Sequence, residues 1–522
     1  MRQLARLLLL PALVAGVVAA PVASAPRAQP AERAEAPAPK KAGPRRKKAP
    51  ATEPVDPYAD PAPSANASPN PNTRGDPDGL ADPYEEGAPR PARVAPRRTA
   101  SPSTTPAPPV PAPPAPTGPA VPRLTTGSDS HPLDVGSVQS MLALQRLDGW
   151  LLVDRDGQNP LARAVVAPTG RPQRAWFYLI PARGEPALLV HVADAAAFAG
   201  VPGGKTTYAG YRDLDAGLAT LLRGKKTLAM EYSAKGALPD VSRVDAGTIE
   251  RLRARGVTIK SSDSLLQFTK ALWGEAGRNA HYVAAHHLVE LRKEALGFIA
   301  TSLGKGALVT ERDVQLRLQK GLAMRGLVGP APVVAAGVNS ADPQYVPTSK
   351  RSAAIKRGDV VQLVLAAKLD QPGAVFASTS WVAVIGGEVP ERLRQVFEVT
   401  ALARDQAVAL VQDRAKRRRA VRGFEVDAAA RTFVTQAGMA AMFLQRTGHS
   451  LDADLLGAGA NLDDLEVKDT RTLVVGAGFT VGPALYEPGQ FGVRVEVSAY
   501  YGPAGLEVTT PMQEQVEVVL VP

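Results

Sequence analysis

The chain of 522 residues contains no cysteine. This absence excludes disulfide bonds, a lipid-modified N-terminal cysteine, thiolate metal sites and a cysteine nucleophile. Long apolar runs are also scarce, because the run at residues 7–20 is interrupted by Pro11 and no second one approaches about 18 residues. We therefore expect no transmembrane segment. The sequence has no G-x-S-x-G motif either, so nothing points to a serine nucleophile of that type.

The N-terminal apolar run has the features of a secretory signal. Arg2 and Arg6 precede it, and the small residues of PVASA follow it. This pattern predicts a signal peptide over residues 1–24, with cleavage before Ala25. We therefore expect an exported protein that is periplasmic, envelope-associated or secreted.

Residues 25–130 are rich in proline and alanine, as in APPVPAPPAPTGP. Such a composition buries too little apolar surface to offset chain entropy, which predicts a disordered linker. The run KKAGPRRKK (Lys40–Lys48) could contact anionic envelope polymers or lipid, or could simply be a solvated stretch of charge. The net charge is +11, but we expect no nucleic-acid partner for an exported chain.

Globular patterning begins at about residue 131. Short strand-like runs such as GWLLVD and AWFYLIP alternate with helical stretches, which predicts an α/β domain over residues 131–262. Residues 263–522 mix long helical stretches with strands and predict an α+β domain. Within it, the apolar runs that flank KLDQPGA at residues 362–386 predict a β-hairpin. Thr310 and Asp313 have the spacing of a helix N-terminal cap.

Several stretches of this second domain resemble one family of peptidases. They are NSADPQYVP, IKRGDVVQLVLAAKLDQPGAVFASTSWVAVIG, GFEVDAAAR, FLQRTGHSL, GAGANLDD, TLVVGAGFTVGPALY and FGVRVE, in the order of the family. They are similar to the two-metal group of methionine aminopeptidase, prolidase, aminopeptidase P and creatinase, and most of all to Xaa-Pro aminopeptidase. The resemblance implies a C-terminal pita-bread fold, preceded by the smaller creatinase-type α/β domain.

In the active enzymes of this family, two Asp, one His and two Glu hold two divalent ions, which activate a water molecule. The resemblance places the two Asp positions at Val364 and Ser378, and the first Glu position at Gly482. It retains the other two ligands, as His449 and Glu496. Three carboxylates are thus missing, so we expect no metal cofactor, or at most a weakly bound Mn, Co or Zn ion.

The resemblance also implies losses among the residues around the metals. Three positions that carry histidine in the family are Gln344, Gln445 and Leu456 here. No catalytic residue is therefore expected. The resemblance leaves a cleft whose candidate binding residues are Gln344, Tyr345, Trp381, Gln445, Arg446, His449, Arg494 and Glu496. For His449 a structural role is the alternative to metal binding, and for Glu496 an ion pair with Arg494 is the alternative.

These residues predict a pseudoenzyme, with the fold of an Xaa-Pro aminopeptidase and a role in binding a peptide or a protein. One alternative is a residual metal-dependent aminopeptidase or prolidase that uses His449 and Glu496. Another is an envelope-interaction protein that acts through its basic, proline-rich linker. The family resemblance further implies a homodimer.

Overall fold

The structure is a computed structural model, described here for residues 133–522. The predicted signal peptide and linker lie outside the described residues. Within those residues, no helix is both long enough and apolar enough to cross a bilayer.

The first part of the described chain is built on a six-stranded mixed sheet with the order β4-β3-β2-β1-β5-β6. Strands β1 and β2 are buried along their whole length, since helices cover both faces of the sheet. Its elements are α1 (Val135–Leu144), β1 (Gly149–Asp154), α2 (Pro160–Val166), β2 (Trp176–Pro181), β3 (Ala187–His191), β4 (Gly204–Tyr208), α3 (Tyr211–Leu221), β5 (Thr227–Met230), α4 (Ala246–Arg253) and β6 (Thr258–Ser261).

The helices of the second part include two long ones, each of which covers one layer of β-structure. They are α5 (Asp263–Leu266), α6 (Glu275–Gly304), α7 (Glu311–Met324), α8 (Glu391–Lys416) and α9 (Gly423–Gln436). Thr310 caps the N-terminus of helix α7. Its side chain accepts from the Asp313 N–H, while the Asp313 carboxylate accepts from the Thr310 N–H. The predicted cap is thus confirmed.

The strands of the second part form a five-stranded, a four-stranded and a two-stranded sheet. The first has the order β17-β10-β9-β7, with β8 also paired to β9; the second is β11-β12-β15-β16 and the third is β13-β14. Their bounds are β7 (Leu327–Val328), β8 (Val333–Ala336), β9 (Val360–Leu369), β10 (Ala377–Ile385), β11 (Ser450–Leu451), β12 (Ala477–Val481), β13 (Ala484–Glu487), β14 (Phe491–Arg494), β15 (Val497–Gly502), β16 (Gly505–Val508) and β17 (Glu517–Val519). The predicted α+β class is confirmed.

The β9–β10 hairpin positions the site, because its two faces are used differently. Alternate side chains such as Leu363 and Leu365 pack against α6 and α7. The opposite face carries Gln362, Val364 and Ser378, since successive side chains of a strand point to opposite sides of the sheet. This second face meets the chain at residues 494–498, where Ser380 N donates to Glu496 O at 3.1 Å.

Candidate functional site: the Glu496 cluster

Glu496 lies at the centre of the site and is 2% exposed. Its backbone is fixed against the hairpin, since Glu496 N donates to Ser380 Oγ at 2.6 Å. Both carboxylate oxygens are occupied: Ser378 Oγ donates to Oε1, and Arg494 Nη2 donates to Oε2. The carboxylate therefore already has a hydroxyl donor and a cation.

The protonation states follow from these contacts. Burial alone would raise the pKa of Glu496, but Arg494, His449 and Ser378 outweigh it, so this pKa lies below its usual value. Burial alone would lower the pKa of Arg494, but the Glu496 carboxylate outweighs burial, so this pKa lies above its usual value. The two groups form a charged pair, and Arg494 Nε remains buried without a hydrogen-bond partner in the described part of the chain.

Gly482 packs directly on Glu496. A Cβ at this position would lie 2.6 Å from Glu496 Cβ and 2.9 Å from Glu496 Cα. The backbone is held there by a bond from Gly482 N to Thr447 O at 2.7 Å. No carboxylate side chain fits at residue 482 unless the backbone at Glu496 moves.

Val364 and Ser378 occupy the hairpin face as the resemblance implied. Val364 pairs with Ser380 across the hairpin, and Ser378 pairs with Ala366. Ser378 is buried, and its N–H donates to Ser498 Oγ at 2.9 Å. An isopropyl group and a hydroxyl thus stand at the two positions where the resemblance implies anionic oxygen donors.

His449 is held through its backbone. His449 N donates to Thr480 Oγ1 at 3.1 Å, and Thr480 N donates to His449 O at 2.8 Å. The ring Nδ1 lies 3.1 Å from Ser450 O. Loss of water around the ring lowers the pKa of His449 to about 4, so the imidazole is neutral near pH 7.

Gln445 and Gln344 lie on neighbouring loops. Gln445 Nε2 donates to Pro343 O at 3.4 Å, and Tyr486 OH donates to Gln445 Oε1 at 3.3 Å. Gln344 and Leu456 are exposed.

Tyr345, Arg446 and Trp381 each have a protein partner. Tyr345 is buried and its OH donates to the Glu311 carboxylate, while Arg446 Nη1 lies 4.0 Å from Asp463 Oδ2. Trp381 lies on the helix-facing side of the hairpin, where the Arg292 guanidinium stacks 3.5 Å from its ring centre. The structure therefore brings His449, Arg494, Glu496 and Ser378 together, but not Trp381.

Sequence reasoning missed a cavity of about 170 Å³ on the same face of the hairpin, towards its turn. Its walls include Val328, Pro330, Phe376 and Leu455. Lys368 also lines it and donates from Nζ to Ala453 O at 2.6 Å. Period-two spacing from residues 364 and 378 would have placed residues 368 and 376 on this face.

The comparisons with known proteins point to one family. The model of metallopeptidase family M24 matches residues 275–500, which are less than half of the chain. The chain is therefore similar to this family over that region. The Xaa-Pro dipeptidase of Lactobacillus delbrueckii subsp. lactis is 28% identical to this chain over 243 residues, which are 44% of this chain and 60% of the relative. The probable dipeptidase PepE of Mycobacterium tuberculosis is 28% identical over 193 residues, 36% of this chain and 46% of the relative.

Solved structures share the fold of this chain. The dipeptidase PepE from Mycobacterium ulcerans has a TM-score of 0.59 at 20% identity, and covers 74% of this chain and 97% of its own. The X-Pro aminopeptidase from Thermotoga maritima MSB8 has a TM-score of 0.52 at 19% identity, and covers 74% of this chain and 98% of its own. The predicted pita-bread fold and the predicted resemblance to this family are thus confirmed.

The donor set of this chain does not fit the paired metals that the family name implies. Among residues 133–522, no group of three or more His, Asp, Glu or Cys side chains is placed to hold an ion. A pair of divalent ions requires several anionic oxygen ligands, some of them bridging. Here one carboxylate faces the site, and it is bound by Arg494 and Ser378.

Proposed function

We propose that this protein is a catalytically inactive member of metallopeptidase family M24 that binds a peptide or a protein segment. The observation that supports this proposal is the Glu496 carboxylate, which is bound by Ser378 and Arg494 where an active enzyme would present it to metal. Without a polarising ion, the site has no group that generates a hydroxide from water near neutral pH.

The apolar cavity supplies the binding element. It is bounded by Val328, Pro330, Phe376 and Leu455, and its volume suits one apolar side chain or a proline ring. The two charges at its edge have partners, since Lys368 Nζ bonds Ala453 O and Asp454 accepts from Lys270 Nζ at 2.7 Å. An apolar residue of a peptide is therefore the favoured occupant.

A metal titration tests the proposed lack of catalytic activity. Mn²⁺, Co²⁺ and Zn²⁺ are titrated by calorimetry into the chelator-stripped protein, and hydrolysis of Xaa-Pro peptides is assayed with each ion. We expect neither saturable binding below about millimolar concentration nor metal-dependent turnover. Turnover that requires metal and disappears in His449→Ala would instead establish the residual hydrolase that retains His449 and Glu496.

A substitution that blocks the apolar cavity tests the proposed peptide binding. Val328 is partly exposed at the cavity, so Val328→Arg fills the mouth without removing core packing. We expect it to weaken binding of a fluorescent Xaa-Pro peptide at least tenfold. Val192→Arg, at an exposed site in the first part of the chain, is the matched control. Equal affinities for the two variants would refute binding at this cavity.

Export, the homodimer and the envelope contact of the basic linker remain proposals of the same kind. Gel filtration with light scattering tests the dimer. Cell fractionation tests export and envelope association, with a variant that lacks residues 26–122 as the control for the linker.

A further inference from the structure

The C-terminal end of α8 presents a dense group of cations. The stretch RAKRRRAVR, residues 414–422, carries six Lys and Arg residues, as dense a run as Lys40–Lys48. Residues 416–420 and residue 422 are all exposed. We define the α8 basic patch as Lys416, Arg418, Arg419 and Arg422.

The patch keeps its charge because the nearby acids are engaged by other cations. Asp413 pairs with Arg417 at 2.8 Å, and Glu425 pairs with Arg414 at 3.3 Å. Within residues 133–522, none of the four patch cations lies within ion-pair distance of a carboxylate. Four positive charges thus face solvent within seven residues.

The backbone holds these charges in one place. Arg418 has φ of 53° and ends the helix, with Arg418 N bonded to Ala415 O and Arg419 N bonded to Arg414 O. Glycine is the residue usually found in this left-handed position, because it has no Cβ. Here an arginine occupies it, so the helix end fixes a cation where conformation alone would favour glycine.

The chemistry of the patch fits phosphate groups. Three of its four cations are arginines, whose planar guanidinium groups bind phosphate oxygens in a bidentate manner. Single-stranded nucleic acid is normally bound by basic residues interleaved with aromatic platforms. Residues 414–422 contain no aromatic residue, and the ring of the adjacent Phe424 is covered by Lys468 Nζ, 4.5 Å from its centre.

We propose that the α8 basic patch docks the folded domain on the phosphate headgroups of an anionic lipid bilayer. This inference does not depend on the state of the metal site. Clusters of four or more cations are attracted to anionic leaflets, and the attraction is lost within a Debye length. The binding is therefore salt-sensitive and needs no membrane-spanning segment.

The experiment measures sedimentation of the full chain with vesicles. The vesicles are phosphatidylcholine alone or phosphatidylcholine with about one third phosphatidylglycerol, over a range of salt concentrations. The patch variant is Lys416→Gln, Arg418→Gly, Arg419→Gln and Arg422→Gln; glycine at residue 418 suits the left-handed backbone. The control variant removes four other exposed cations: Arg223→Gln, Lys226→Gln, Arg251→Gln and Lys260→Gln.

We expect the wild type and the control to bind the anionic vesicles at low salt, and the patch variant to bind more weakly by about fivefold per cation removed. Equal losses in both variants would reduce the effect to net charge and overturn the proposal. So would unchanged binding of the patch variant. Competition by a short duplex DNA at lower concentration than the lipid would show a nucleic-acid partner instead, and competition by inorganic phosphate would show an anion site.

Discussion

At the scale of single residues, the site is organised around Glu496. A buried carboxylate with no counter-charge is costly. Ser378 and Arg494 provide a donor and a charge for it. The two side chains therefore satisfy this carboxylate without any further group.

Gly482 gives the first prediction at this scale. Gly482→Ala is expected to destabilise the fold by about 2 kcal/mol, because the new Cβ meets the backbone of Glu496 at 2.9 Å. Urea unfolding measures the change. Gly297→Ala is the control, since that helical glycine has open space around its Cβ position and should gain up to about 1 kcal/mol. An unchanged free energy of unfolding in Gly482→Ala would show that the backbone at Glu496 adapts freely.

His281 gives the second prediction. The ring is fully buried between Phe376 O, at 2.8 Å from Nδ1, and Thr509 Oγ1, at 2.7 Å from Nε2. Burial lowers the pKa of His281 to about 4 from 6.5. The unfolded chain then binds the proton more tightly, so stability falls as pH drops from 6.5 towards 4, by at most about 3 kcal/mol. The free energy of unfolding, measured against pH, should fall less steeply in His281→Gln.

Glu231 also contributes to the pH dependence of stability, and its contribution has the opposite sign to that of His281. Burial raises the pKa of this carboxyl to about 7 from 4.5, although Trp150, Asn159 and Ser262 donate to it. The folded state therefore holds this proton more tightly, and stability falls as pH rises from 4.5 through 7. The difference between wild type and His281→Gln isolates the histidine. Parallel pH profiles would refute its contribution.

At the scale of elements, local patterns predicted those structures that local chemistry determines. The β9–β10 hairpin follows from two alternating apolar runs that flank QPG, and α7 follows from its cap at Thr310. The parallel pairing of β10 with β17 joins Ala383 to Glu517, and no local signal indicates it. Such pairing depends on packing between distant segments, which a single sequence does not encode locally.

The same difference between local and long-range contacts applies to the candidate site. The Arg494–Glu496 pair could be predicted as one alternative, because the two residues have opposite charges and lie two positions apart. The bond from Ser378 to Glu496 spans 118 residues and became visible only in the folded chain. The alignment of Val364, Ser378 and Gly482 with metal ligands rests on family resemblance, since valine, serine and glycine carry no chemical sign of a metal site.

Glu311 gives the prediction at this scale. From the first turn of α7 its carboxylate accepts from Ala336 N and Ala353 N, both at 2.6 Å, and also from Asn339 and Tyr345. Glu311→Gln turns one acceptor into a donor and leaves buried donors without partners, at a cost of about 3 kcal/mol. Hydrogen exchange should rise across residues 333–353, which include Gln344.

Asp313 provides the matched control, because it lies on the same turn and makes exposed capping bonds to Thr310. Asp313→Asn should cost about 1 kcal/mol at most and leave exchange in residues 333–353 unchanged. If both variants behaved alike, Glu311 would be a capping residue and not the fixed point of this loop.

At the scale of the whole molecule, the two parts of the described chain share a core. One hydrophobic core lies between the six-stranded sheet and helices α1 and α2, and it includes Leu265 and Leu266 of the second part. Ala458 and Val467, also of the second part, pack against this core. The predicted boundary at residue 262 therefore marks a change in sequence pattern, whereas the hydrophobic core continues across it.

This shared core predicts cooperative unfolding. Native-state hydrogen exchange, followed against denaturant concentration, should give one common unfolding free energy for β1–β2 and for β9–β10. Val467→Ser, which weakens the shared core, should lower both values together. Two separate values, with only β1–β2 affected by Val467→Ser, would mean that the parts unfold independently.

The pairing of Arg494 with Glu496 has a consequence for how the protein depends on its surroundings. A divalent ion must be acquired from the surroundings, and chelators or a competing protein can remove it. A guanidinium is supplied by the chain itself, once per molecule, and stays charged up to about pH 12. The counter-charge that Arg494 gives to Glu496 is thus set at translation, and does not depend on the supply of an ion.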